Sequence, residues 1–290
     1  MGIKKMKIIE MEQNTPAWLE WRKGKIGASD APKIYGSYFS TPLELWERKL
    51  GLSPEQEENF AMSRGKALEH EARSAFMQLK NIGMTPEIVE HETLGWCIAS
   101  LDGLSPCKKY ALEIKVPGRE DHLSALAGIV PPKYVPQLQH QLAVTGLDMI
   151  YYYSYDGKDN ALIEVERDQG YIDKLIEEEL KFYKCMTTCT PPELSERDYT
   201  IRNDREWESL VRRWKYAKSD LDCAKDMEQS ARDLLIKASE SRNSKGFGVK
   251  VQKITRAGSV DFSAIPALEG IDLEAYRKPA SKSWRITLDE

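Results

Sequence analysis

At 290 residues, with 41% hydrophobic and 30% charged residues, the chain is long enough to bury a large core and has the composition of a soluble globular protein. No apolar run approaches a membrane span and Met1-Gly2-Ile3-Lys4-Lys5 has no signal-peptide core, so a cytoplasmic location without a membrane partner is expected. The net charge of −4 hides an asymmetry, 24 Lys/Arg against 31 Asp/Glu in residues 1–199 and 18 against 15 in 200–290. Any nucleic acid must therefore meet local basic groups, with salt-sensitive non-specific binding.

Thr15-Pro16 reads as an N-cap and first-turn proline, opening a helix through Trp18 and Trp21 to about Arg22. Ser29 is placed to cap a second helix from Asp30 to Tyr35, closed by Gly36. Thr41-Pro42 repeats the start signal, and Gly51 ends that helix. Phe60, Ala67, Leu68, Ala72, Ala75, Phe76 and Leu79 recur at helical spacing and predict a helix over 60–82, stopped by Gly83. Strands are predicted at 87–91, 96–101 and 110–116, a short helix near 121–127, and a helix from Tyr134 to Thr145. Two strands follow, Met149–Tyr155 and Ala161–Glu166, turning through Asp156-Gly157, and then a helix from Tyr171 to Met186.

Thr187 to Pro192 breaks the pattern and divides a domain of residues 1–189 from a C-terminal extension, 190–290. The extension predicts a long charged helix over about 203–241. Trp207, Leu210, Trp214, Ala217, Leu221, Ala224, Met227, Ala231 and Leu234 step along it by three and four, as in a coiled coil. Val249–Thr255 and Trp284–Leu288 read as short strands. The first domain is thus an α/β layer structure with a mixed sheet. Cysteines 97, 107, 185, 189 and 223 form no Cys-x-x-Cys pair, and four histidines are too sparse for a zinc cluster. Free thiols in a reducing compartment are expected.

Ser100-Leu101-Asp102-Gly103-Leu104 followed by Ala111-Leu112-Glu113-Ile114-Lys115-Val116 carries the chemistry. Asp102 reads as lying in a turn. Alternation puts Glu113 and Lys115 on one face of a strand, with Leu112, Ile114 and Val116 on the other. If the strands are neighbours, two carboxylates and an ammonium converge, the set a magnesium-dependent phosphodiester hydrolase needs. A bare Glu-x-Lys carries little, because Glu47-x-Lys49 and Glu179-x-Lys181 both fall in helical stretches. The plain alternative is a surface salt-bridge ladder.

Three further stretches bear on this. Glu69, on the long helix before the sheet, is a candidate carboxylate for a second metal, against the plain alternative of a solvated helix face. Gln137 and Gln141 share a helix face while Gln139 points elsewhere, and a glutamine there can orient a metal-bound water or simply pack under a sheet. Arg22-Lys23-Gly24-Lys25-Ile26-Gly27-Ala28-Ser29 gathers cations at a helix start, where free N–H groups favour a phosphate.

Taken in series, Trp21-Arg22, Ile26-Gly27-Ala28-Ser29-Asp30, Arg64-Gly65-Lys66 with Glu69, Ser100 to Leu104, Leu112 to Pro117 and Pro136 to Leu142 resemble the phage lambda-type exonucleases, or YqaJ-like viral recombinases, of the PD-(D/E)xK nuclease superfamily. The likeness covers about residues 14–185. It implies a restriction-endonuclease-like core, a mixed sheet flanked by helices. Asp102, Glu113 and the Ile114 carbonyl would ligate a metal, and Glu69 would complete a second site. The ions would be two Mg2+, with Mn2+ as an alternative. Lys115 would activate the water or stabilise developing charge, Gln137 would orient the site, and Arg22 and Ser29 would hold the 5′-phosphate of a DNA end. It further implies 5′→3′ degradation of one strand of duplex DNA, leaving 3′ single strands for an annealing partner, by a ring-shaped homotrimer in the cytoplasm of a phage host. Leu101 stands where proline is expected before the acid, and the 190–290 extension lies outside the likeness.

The rivals are a related endonuclease and an inactive DNA-end-binding protein. An iron–sulfur nuclease would need clustered cysteines that this chain lacks.

Overall fold

The computed structural model describes residues 6–11, 15–54 and 59–255; the predicted Trp284–Leu288 strand lies outside them. The described residues separate into two compact units, one through Asp198 and one from Tyr199 onward.

In the first unit, a seven-stranded mixed sheet runs in the order β1 (Lys7–Ile9), β3 (Thr85–Glu90), β4 (Cys97–Leu104), β5 (Ala111–Lys115), β6 (Met149–Tyr155), β7 (Asn160–Glu166). The two-residue β2 (Ile26–Gly27) is added parallel to β4. All pairs on the main path are antiparallel except β5–β6, which is parallel. A parallel pair needs a crossover, and α5 (Arg119–Leu126) and α6 (Val135–Thr145) provide it.

The sequence signals work locally for physical reasons. Thr15 caps α1 (Pro16–Arg22) by accepting the Trp18 amide. Thr41 and Glu44 form a reciprocal capping box on α3 (Pro42–Lys49). Helix α4 (Phe60–Lys80) stops at Asn81, in the left-handed conformation, rather than at Gly83. The predicted Ser29 cap is corrected. Asp30 stands at the N-cap of α2 (Ala31–Ile34), makes no side-chain cap bond there, and leaves Ser29 exposed.

Two apolar layers flank the sheet. Ala72 and Phe76 of α4 pack on Leu112, Ile114, Tyr151 and Tyr153. Leu138 and Leu142 of α6 and Ile172 of α7 (Gln169–Thr187) pack on the other face, against Ala99, Leu101 and Tyr152. Alternation along β5 therefore sends Leu112 and Ile114 towards α4 and Glu113 and Lys115 towards α6.

Beyond α7, Arg197 donates to the Ser37 carbonyl and Asp198 accepts the Thr41 hydroxyl at 2.5 Å, so the chain past Thr190 still holds on to the first unit. The second unit contains α8 (Arg205–Ala238), capped by Asp204, and a hairpin of β8 (Ser244–Gly246) and β9 (Val249–Val251). No residue of α8 is buried, so its apolar stripe lies open. No helix among the described residues is long and apolar enough to cross a membrane.

Candidate active site

Asp102 lies inside β4, two residues before its end, and not in a turn. The β4–β5 ladder consists of Gly103↔Leu112 and Leu104↔Ala111 and then lapses. Gly103 permits the close approach there, because a Cβ would meet Met84 Cβ at 2.9 Å and Leu112 Cβ at 3.2 Å. Past the last rung, Asp102 Oδ2 accepts the Ile114 amide at 2.7 Å, so a carboxylate replaces a ladder bond. In an extended strand the N–H and C=O of one residue leave by the same edge, so the Ile114 carbonyl faces the same gap.

Glu113 is buried, 3% exposed, and both its oxygens are held. Oε1 accepts Gln137 at 2.6 Å and pairs with the Lys115 ammonium at 2.6 Å; Oε2 accepts Gln141 at 2.5 Å. Lys115 also donates to Gln137 Oε1 at 3.0 Å and sits 5.3 Å from the Tyr134 ring centre, a cation–π contact. On the other side of Asp102, Arg73 donates to its backbone carbonyl at 2.6 Å and pairs with Glu69. The structure thus brings Asp102, Glu113, Lys115, Gln137 and Glu69 around one strand gap.

The electrostatics fit a divalent cation. Burial, then Glu113, then Glu69 raise the Asp102 pKa well above the usual carboxylate value, and Lys115 only partly opposes them. Carboxylates crowded beyond their protein counter-charge, beside a backbone carbonyl, form the hard-oxygen donor set that Mg2+ or Mn2+ takes. Burial disfavours charge on Lys115, but Glu113 and Asp102 outweigh it and raise its pKa, keeping it an ammonium.

The basic turn holds a second centre. Asp30, 3% exposed, accepts the Gly27 amide at 3.1 Å and pairs with Lys49 at 2.7 Å, Lys33 at 3.6 Å and Arg22 at 4.0 Å. Lys49 also donates to the Lys25 carbonyl at 2.7 Å, closing the turn. Burial alone would raise the Asp30 pKa, but Lys49, Lys33 and Arg22 hold it far below the usual range. Three cations around one carboxylate leave positive charge for an anion. Arg22, stacked 4.5 Å from the Trp18 ring centre, has the most exposed side chain of the three. The four-residue α2 is too short for the helix-start attraction that the sequence suggested, so the cations supply it. Ser29 lies on this turn, exposed, without a hydrogen bond of its own among the described residues.

Sequence reasoning did not single out Arg73, Tyr134, Asp30 or Lys49. Gln141 it placed on the Gln137 face, and the i,i+4 spacing was the available signal for its hold on Glu113. A third cluster, Cys97, His140 and Glu179, is wholly buried.

Residues 17–148 match the family model of the YqaJ-like viral recombinase domain. The uncharacterized protein YqaJ of Bacillus subtilis (strain 168) is 29% identical over 181 residues, 59% of this chain and 56% of that protein, so the chain spans little more than half of that relative's length. Among solved structures, the alkaline exonuclease LHK-Exo from Laribacter hongkongensis is 28% identical, with a TM-score of 0.54 over 61% of this chain and 94% of that one. The structure of LHK-Exo in complex with dAMP matches at 27% identity, with a TM-score of 0.54 over 61% of this chain and 94% of that one. Over residues 17–148, which carry β2 to β5 and the strand gap, the chain is similar to the YqaJ-like viral recombinase domain.

Proposed function

We propose that this chain is a metal-dependent exonuclease that degrades one strand of duplex DNA from its 5′ end, leaving 3′ single strands for a strand-annealing partner. The observation that carries the reading is the convergence of Asp102, Glu113 and Lys115 at the end of the β4–β5 ladder. Likeness to an alkaline exonuclease supports the reaction class.

Asp102, Glu113 and the Ile114 carbonyl are the residues that would hold one divalent ion, and Glu69 would complete a second site. A bound ion supplies Lewis-acid polarisation of the scissile phosphate and lowers the pKa of its water. The chain's own groups do the rest. Lys115, held as an ammonium, donates to oxygen as charge develops on the phosphate, and Gln137 keeps its aim by bonding both Lys115 and Glu113. Gln141 fixes the second Glu113 oxygen. Arg22, with Ser29 on the same turn, receives the 5′-phosphate and sets the register of the strand. A homotrimeric ring would keep the product strand threaded.

The test is nucleotide release from a linear duplex and from a closed circle of the same sequence, with and without Mg2+. Release from the linear form alone, and only with Mg2+, is the expected result. Cleavage of the circle would favour an endonuclease, and no release from either an inactive end-binding protein.

A further inference from the structure

Helix α6 reaches both strands that border the gap. On one side, Gln137 and Gln141 hold Glu113 of β5. On another, His140, wholly buried, lies between α7 and β4, its Nδ1 2.7 Å from Glu179 Oε1 and its Nε2 2.9 Å from the Ile98 carbonyl. Ile98 precedes Asp102 by four residues on the same strand. The β2 pairing with β4 ends at Gly27↔Ile98, and the β5 pairing begins at Gly103↔Leu112. Between them this edge of β4 has no strand partner among the described residues, and the imidazole enters where the first ladder stops.

We propose that His140 is a positioning residue for the metal-binding strands: as a doubly donating imidazolium it ties α6 to β4, so that the helix whose glutamines hold β5 sets the separation of Asp102 from Glu113. Its partners are a carboxyl group and a carbonyl, and with Glu179 ionised both only accept, so both ring nitrogens then donate. Glu179 from α7 and Cys97 from β4, 3.6 Å from Nε2, are the titratable groups that face it. Burial opposes the ring's charge, and Cys97 and Glu179 outweigh it, raising the His140 pKa well above its ordinary value. Cys97, His140 and Glu179 offer ligand atoms within 4.8 Å of one another, but Glu179 and Cys97 stand at opposite ring nitrogens. That arrangement suits an ion pair and not a zinc ion, which would need one bare nitrogen. The inference rests on the nuclease reading above for what the gap holds.

The test uses the full chain without DNA. Imidazole 15N spectra should show both His140 nitrogens protonated at neutral pH, and an unprotonated nitrogen would overturn the proposal. His140→Gln and Glu179→Gln should each weaken Mn2+ binding about ten- to a hundredfold, the range seen for groups that orient ligands. Should His140→Gln fail to fold, Glu179→Gln and the wild-type spectra still decide. Wild-type Mn2+ affinity in a folded variant, or stoichiometric zinc binding that Cys97→Ala abolishes, would contradict it. Wild-type protein that binds Mn2+ but releases no nucleotide would sink the nuclease reading and leave this inference standing.

Discussion

Asp102 takes the Ile114 amide at 2.7 Å, one rung beyond the last backbone pair of β4 and β5. A side chain thus stands in for a ladder bond, and the strands part just where Glu113 and Lys115 turn towards α6. The opening is a consequence of sheet geometry, with Gly103 allowing the tight contact on one side of it.

Asp102→Ala and Lys115→Ala should keep binding to DNA ends and lose hydrolysis, each by at least about a thousandfold, roughly 4 kcal/mol of transition-state stabilisation. Single-turnover rates beside gel-shift affinities would measure both. Undiminished cleavage by either variant would remove the site.

Gln141→Leu frees one Glu113 oxygen from its donor at 2.5 Å without touching Lys115. Activity should fall about ten- to a hundredfold and recover partly at high Mg2+, because the loss is in the placement of a ligand. A titration of rate against Mg2+ separates this from a loss that metal does not restore.

Much of this was legible in the sequence. Period-two alternation on β5 placed Glu113 beside Lys115, and Thr15 and Thr41 announced two helices through their caps. Asp102 was placed in a turn, whereas it lies inside a strand, where Gly103 marks a close approach. Strands β1, β2 and β8 are two or three residues long, too short for any periodicity to register. The Asp30 centre was hidden for another reason. Its partners Arg22, Lys33 and Lys49 come from three helices, and only folding makes them neighbours.

Arg22→Ala should slow digestion of 5′-phosphorylated ends more than 5′-hydroxyl ends. Asp30→Asn should do the same while also lowering Tm, since it leaves Lys49 buried without its counter-charge. Paired rates on the two kinds of end would check this, and equal slowing of both would remove the phosphate from this turn.

The raised Asp102 pKa gives a stability prediction with a definite sign. Between the unfolded carboxylate pKa and the raised native one, the folded state binds more protons, so stability falls as pH rises through that window. Asp102→Asn removes this penalty. In EDTA at neutral pH it should melt above the wild type, and the gap should shrink as the pH is lowered towards the unfolded pKa. Equal melting curves at neutral pH would mean that Asp102 is not electrostatically crowded. The inactive variant is thus expected to be the more stable one, a trade of stability for function.

The most direct measurement of the central claim is digestion of a duplex labelled at either the 5′ or the 3′ end of one strand, with Mg2+ and with EDTA. With Mg2+, the 5′ label should leave first as mononucleotide while the 3′ label stays in long single strands, and EDTA should stop both. Early release of the 3′ label, or loss of either label in EDTA, would contradict the account.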